Sequence, residues 1–285
     1  MFEKTCWLLP ALILALLPHL ASAQAAGGVP IRLAIVGDST VANYKADDPH
    51  RGWGQMLPEF FDTQRVTIEN FARNGRSSKT FLKEGLWTKT LAFHPDYVLI
   101  QFGHNDSHGP GHPESTDANT DYMQYLREYV DTARAQGAVP ILVTPMHRGL
   151  WDPAQARLTL ELQPYADAMK RVAAEKDVPV IDLFSLSGAA YEKLGPQRLV
   201  SIFAIPGKDR THFNAGGARM LAGMVAVQLA QLVPALRPMI HVQAAEAAAD
   251  PDNLPIAANP SAAASPAPAD AMGDGGTANS IAPGK

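Results

Sequence analysis

Apolar residues along this chain switch between short continuous runs and longer stretches with three- and four-residue spacing. The runs are Ile31–Val36, Arg65–Phe71, Tyr97–Phe102, Val139–Thr144 and Val178–Leu183, all rich in Val, Ile and Leu. Runs of this kind predict strands buried on both faces. Between them, Trp53–Phe61, Asp121–Gln136, Leu160–Asp177 and Ala215–Leu232 carry helical periodicity. In the third of these, Tyr165, Ala166, Met169 and Val172 share one face, with Lys170, Arg171 and Glu175 opposite. Gly137 and Asp177 stand where helices stop. Strands alternating with helices predict an α/β fold. The expected form is a three-layer α/β/α sandwich on a five-stranded parallel sheet, with right-handed crossovers and flavodoxin-like order 2-1-3-4-5.

Two connections, Gly103–Thr120 and Pro145–Thr159, are longer than such a unit needs and read as binding loops or disorder. Both follow strands. The folded domain is expected over residues 29–243. Residues 244–285 hold almost no large apolar side chain and read as a disordered tail rich in Ala, Pro and Gly.

Composition alters this picture mainly at the N-terminus. Lys4 and the α-amino group, partly offset by Glu3, precede the apolar stretch Trp7–Leu20, and Ala21-Ser22-Ala23 follows. This reads as a signal peptide over residues 1–23, with 24–28 a short linker. The stretch is shorter than the ~20 residues of a membrane span and contains Pro10, Pro18 and His19. No stable span is therefore expected after cleavage, and the expected location is secreted or periplasmic. The only cysteine is Cys6, so the mature chain would hold no disulfide, thiolate nucleophile or cysteine metal site. A net charge of −4 argues against nucleic acid or an anionic membrane as partner.

The chemistry begins at Ser39, which follows the first strand after Gly37-Asp38. In open α/β sheets ligands bind outside the carboxyl ends of the strands; a serine there also commonly caps the next helix. Asn74-Gly75 follows the second strand, Gly103-His104-Asn105-Asp106 the third, and Asp209-Arg210-Thr211-His212 precedes the last helix. Ser, His and Asp are the parts of a hydrolytic triad, and the Asp209–His212 spacing lets a tight turn bring carboxylate to imidazole. A glycine N–H and an asparagine amide are oxyanion-hole donors. Each residue has a structural reading as turn, loop or cap, but all four clusters fall on one predicted edge. The second glycine of the α/β-hydrolase nucleophile elbow is missing around Ser39.

These clusters resemble, in order and spacing, the conserved blocks of the SGNH (GDSL) hydrolase superfamily. The stretch Asn70–Phe81 with Glu84-Gly85 and Trp87, together with Gln101–Asp106, Val180–Leu183 and Thr211–Asn214, resembles the rhamnogalacturonan acetylesterase-like branch. The resemblance spans roughly residues 31–232. It implies Ser39 as nucleophile, His212 as general base and acid, and Asp209 as its orienting carboxylate. It also implies an oxyanion hole of Ser39 N–H, Gly75 N–H and the Asn105 amide. The expected function is a secreted serine esterase that removes O-acetyl groups from a polysaccharide or oligosaccharide such as rhamnogalacturonan, pectin or xylan. The alternatives are a periplasmic GDSL-type lipase, lysophospholipase or thioesterase, and a non-catalytic glycan-binding module.

Arg76, His104, Trp87 and Trp151 are candidate substrate contacts, with Tyr122 a further stacking candidate. Arg76 reads equally as bonding loop carbonyls, and the aromatics equally as core. His104, Asp106, His108 and His112 match no standard metal-site spacing, so neither metal nor cofactor is expected. Cleavage after Ala23 predicts a mature protein that begins at Gln24 and has no thiol. Intact mass and thiol titration of secreted material check this, and retention of Cys6 contradicts it.

Overall fold

A computed structural model describes residues 29–255. The signal peptide, the linker and residues 256–285 of the expected tail lie outside the described residues. In chain order the elements are β1 (Ile31–Val36), α1 (Trp53–Met56), β2 (Val66–Asn70), α2 (Ser78–Lys83), α3 (Leu86–Leu91), β3 (Tyr97–Ile100), α4 (Asp121–Ala135) and β4 (Val139–Val143). There follow β5 (Trp151–Asp152), β6 (Arg157–Leu158), α5 (Gln163–Lys176), β7 (Val180–Ile181), α6 (Leu183–Leu199), α7 (Ala215–Leu232) and α8 (Val242–Ala249). The main sheet is parallel throughout, in the order β2-β1-β3-β4-β7. Counted within the sheet alone, this is the expected order 2-1-3-4-5.

Alternation along the strands builds the two apolar layers. Leu33 and Ile35 of β1 join Leu99, Ile141, Val143 and Ile181 beneath α1, α6 and α7. Their neighbours Ala34 and Val36 face the other way, with Val98, Ile100 and Leu142, against α2 to α5. Tyr165, Ala166, Met169 and Val172 are buried on α5, as their periodicity predicts. Gly137 (φ 81°) and the left-handed Asp177 (φ 49°) end α4 and α5.

The last strand is shorter than its apolar run. Asp182 caps α6 by accepting from the Ser185 N–H at 3.2 Å, so Leu183 already belongs to a helix. That helix kinks at Gly195 (φ 67°) ahead of Pro196. The Pro145–Thr159 connection holds the antiparallel hairpin β5–β6.

The expected disordered tail starts too early. Residues 244–249 complete α8, whose Ala245 and Ala248 are buried against α7. Alanine is the best helix former, and small side chains let the two backbones approach closely. A Cβ on Gly223 would stand 2.7 Å from the Ala245 carbonyl oxygen. Gly223→Val should therefore cost about 1–3 kcal/mol by overpacking, read as a lower urea midpoint. An unchanged midpoint would contradict this docking.

Candidate active site

Four loops meet at the carboxyl edge of the sheet. The first leaves β1 through Gly37, where a Cβ would lie 2.6 Å from Val41 Cγ2 and 2.8 Å from the Gln101 carbonyl. Asp38 then folds the chain into a turn. Its Oδ1 accepts from the Thr40 backbone N–H (2.9 Å) and hydroxyl (2.7 Å), and its carbonyl from Ala42 N–H (3.1 Å). Ser39 sits at the head of this turn, and the Tyr44 hydroxyl donates to its carbonyl at 2.8 Å. Burial, with the nearby Asp38 charge, pushes the Tyr44 phenol upward, so it remains a donor.

The second and third loops are fastened to each other. Asp106 is buried and accepts from the Ser78 hydroxyl (2.5 Å), the Ser78 N–H (3.1 Å) and the Thr116 hydroxyl (3.1 Å). Burial outweighs these donors and pushes its carboxyl up to about 7. The Asn105 amide donates to the Arg76 carbonyl at 3.0 Å, which leaves its second N–H free. Gly75 holds the positive φ (75°) that turns the second loop towards the cleft.

The fourth loop is a tight turn ahead of α7. Asp209 Oδ1 accepts from the backbone N–H groups of Thr211 (2.7 Å) and His212 (2.9 Å). Its Oδ2 stands 3.0 Å from His212 Nδ1, and His212 Nε2 stands 3.0 Å from Ser39 Oγ. A carboxylate only accepts, so Nδ1 carries the proton and Nε2 is left to accept from the serine hydroxyl. Burial alone would raise the Asp209 carboxyl. The His212 and Thr211 N–H groups and the imidazole outweigh it and hold Asp209 below its ordinary value. Among the described residues, the backbone N–H groups of Ser39 and Gly75 have no protein acceptor. Both residues, with Asn105 and His212, line a cleft of about 390 Å³. The arrangement can activate a hydroxyl and offers N–H donors to a developing oxyanion.

The expected substrate contacts fare differently. Trp87 is 4% exposed in the core, with its Nε1 donating to the Thr132 hydroxyl and its ring meeting Tyr129 edge-on. Tyr122 is buried, its hydroxyl on the Phe102 carbonyl. His104 is also buried, 3.6 Å from Asp38 Oδ2, and cannot meet a sugar. Arg76 pairs with Glu84 at 2.9 Å and donates to the Asn74 carbonyl, the loop-bonding role. Trp151 packs on the core from β5. None of these residues lines the cleft. The Pro145–Thr159 loop braces the site from behind, with Arg148 donating to the His104 carbonyl at 2.9 Å.

The sequence reading missed Tyr44, Asp48 and His50, which complete the cleft wall. The linking contact is tertiary, Arg51 N–H to the Phe213 carbonyl at 2.7 Å, and no local spacing announces it. The histidines of the third loop separate as well. His104 and Asp106 are buried, while His108, His112 and Glu114 converge near the surface. His50, Asp209 and His212 form the other group with three convergent donors among the described residues. In the His108 group, His108 Nδ1 stands at hydrogen-bond distance from Glu114 Oε1, 2.6 Å.

Fold and site together define an α/β/α hydrolase with a Ser-His-Asp trio at its sheet edge. Residues 35–220 match the GDSL-like Lipase/Acylhydrolase family, and the chain belongs to it. It is thus an SGNH hydrolase and a carboxylic ester hydrolase, and it resembles rhamnogalacturonan acetylesterases. The rhamnogalacturonan acetylesterase RhgT of Bacillus subtilis is 37% identical over 218 residues, covering 71% of this chain and 91% of that protein. The crystal structure of Bacillus subtilis YxiM superposes with TM-score 0.64 at 29% identity, over 71% of this chain and 57% of that one. Axe2, an acetylxylan esterase from Geobacillus stearothermophilus, shares the fold with TM-score 0.55 at 19% identity, over 71% and 95%.

Asp209→Asn should leave the fold intact and lower kcat by roughly 10³–10⁴, because an amide no longer enforces the Nδ1–H tautomer. Steady-state kinetics beside circular dichroism check this, and a loss below tenfold contradicts the assigned geometry.

Proposed function

We propose that this chain is a secreted carbohydrate O-acetylesterase working through an acyl-serine intermediate. The observation that carries the mechanism is the continuous relay from Ser39 Oγ through His212 to Asp209, with bonds of 3.0 Å at both steps. His212 Nε2 takes the Ser39 proton as Oγ attacks the acetyl carbonyl. The N–H groups of Ser39 and Gly75 and the free N–H of Asn105 receive the oxyanion. Collapse expels the sugar alcohol, which leaves with the proton from His212. A water, deprotonated by His212, then hydrolyses the acetyl-serine and returns the enzyme to its starting state.

Two observations support a short acyl group and a sugar. The cleft is small, and its walls are Ser39, Tyr44, Asp48, His50, Asn74, Gly75, Asn105 and His212, with no aliphatic side chain to hold a long acyl tail. The relative RhgT carries the name rhamnogalacturonan acetylesterase. Secretion suits a polymer too large to enter a cell, and no helix of the described residues is long and apolar enough to cross a membrane.

Acetate release from acetylated rhamnogalacturonan, pectin and xylan, with Ser39→Ala as control, tests the reading. At least one polymer should release acetate, and Ser39→Ala should abolish it. Asn105→Ala should lower kcat by roughly 10²–10³ with little change in KM. If p-nitrophenyl esters are cleaved faster as the acyl chain lengthens to octanoate, the acetylesterase reading fails and the lipase alternative takes its place.

A further inference from the structure

The wall formed by Asp48 and His50 has no part in the chemistry above. Asp48 Oδ1 accepts from the His50 backbone N–H at 2.9 Å and from its Nδ1 at 2.6 Å. A carboxylate only accepts, so Nδ1 carries a proton and is committed to Asp48. The His50 Nε2 stands 3.7 Å from Asp209 Oδ2, beyond hydrogen-bond range, and has no partner among the described residues. Asp48 Oδ2 has no hydrogen-bond partner among the described residues. The backbone and side-chain donors of His50 hold the Asp48 carboxyl below its ordinary value, so it is charged at neutral pH. Arg51, the adjoining cation, directs its guanidinium at the carbonyls of Ala46, Asp48 and His50. The His50 ring meets His212 edge-on with centroids 5.5 Å apart, and both His50 and Asp48 remain partly exposed to the cleft.

The leaving alcohol must take its proton from His212 Nε2. The unit that carries this oxygen therefore lies beside His212, and the wall next to it is His50 and Asp48. That wall presents two unpartnered polar atoms, the Oδ2 acceptor of the charged Asp48 and the Nε2 of His50, with the Asp209 carboxylate behind them. Hydroxyl groups satisfy such a surface, an apolar ring leaves its polar atoms stripped of water, and a carboxylate is repelled.

We propose that Asp48 and His50 form a hydroxyl-binding subsite for the leaving sugar, one that selects a polyhydroxylated ring whose face towards the wall is uncharged. The subsite rests on the carbohydrate-esterase reading and deepens it. It assigns discrimination between sugar and lipid alcohols to two side chains outside the triad.

The test compares a mono-O-acetylated methyl xyloside with cyclohexyl acetate. Both release a ring alcohol that needs the same proton from His212, but only the xyloside carries further hydroxyls. The ratio of kcat/KM for the two substrates should fall about tenfold in Asp48→Ala and in His50→Ala, the loss of one hydrogen bond to a charged or strongly polar group. If the two substrates lose rate equally, the residues only position His212, and the subsite is overturned. An unchanged rate on both overturns it as well. If the unmodified enzyme cleaves cyclohexyl acetate but no acetylated sugar, the carbohydrate reading itself falls and takes the subsite with it. An unchanged ratio in an enzyme that does cleave the xyloside removes the subsite alone.

Discussion

The hydrogen bond between Ser39 Oγ and His212 Nε2 joins residues 173 positions apart, and most of the surrounding polar structure keeps its two ends in register. Ser39 hangs from a turn set by Asp38 and steadied by Tyr44, while His212 hangs from a turn set by Asp209. The two turns belong to distant parts of the chain, one after β1 and one before α7. They are tied across by Arg51, whose backbone N–H meets the Phe213 carbonyl one residue past the histidine. A displacement of about 1 Å at either end would break the contact, which explains why so many short-range bonds converge on such small loops.

Charge is handled differently at Asp209 and Asp106, two of the carboxylates of the site. Asp209 takes two backbone N–H groups and an imidazole, which outweigh its burial and keep it ionised as the orienter of His212. Asp106 is more deeply buried, and its hydroxyl and N–H donors do not compensate fully, so its carboxyl rises to about 7. Its work is mechanical. It holds the start of α2 and hence the Gly75 loop against the loop of Asn105, and both residues line the same cleft. The deeper burial of Asp106 is what separates the two, since both accept three or more hydrogen bonds.

The sheet was legible because strands buried on both faces leave continuous apolar runs, and Ile31–Val36 and Val139–Val143 have no competing reading. The elements that escaped have local causes. Short α2 and α3 are separated by a left-handed Gly85, α6 is broken by Gly195-Pro196, and the docking of α8 depends on alanines too small to register as apolar. In the site, the loop positions of Ser39, Gly75, Asn105, Asp209 and His212 are legible because each follows a strand or precedes α7 by a few residues, while the roles expected of them come from the family resemblance. The placement of Asp48 and His50 is not legible, because only the folded path of their loop brings them to the cleft. Trp87 and Tyr122 illustrate the opposite error, in which an aromatic that fits a sugar platform is equally suited to the core.

In the proposed reaction Ser39, activated by His212, becomes covalently acylated. Treating the enzyme with a serine-directed phosphonate and mapping the adduct by peptide mass spectrometry tests it directly. A single adduct on Ser39 is expected, formed in step with loss of acetate release and absent when His212 is replaced by alanine. An adduct on another residue, or full activity in an enzyme that takes up no label, would contradict it.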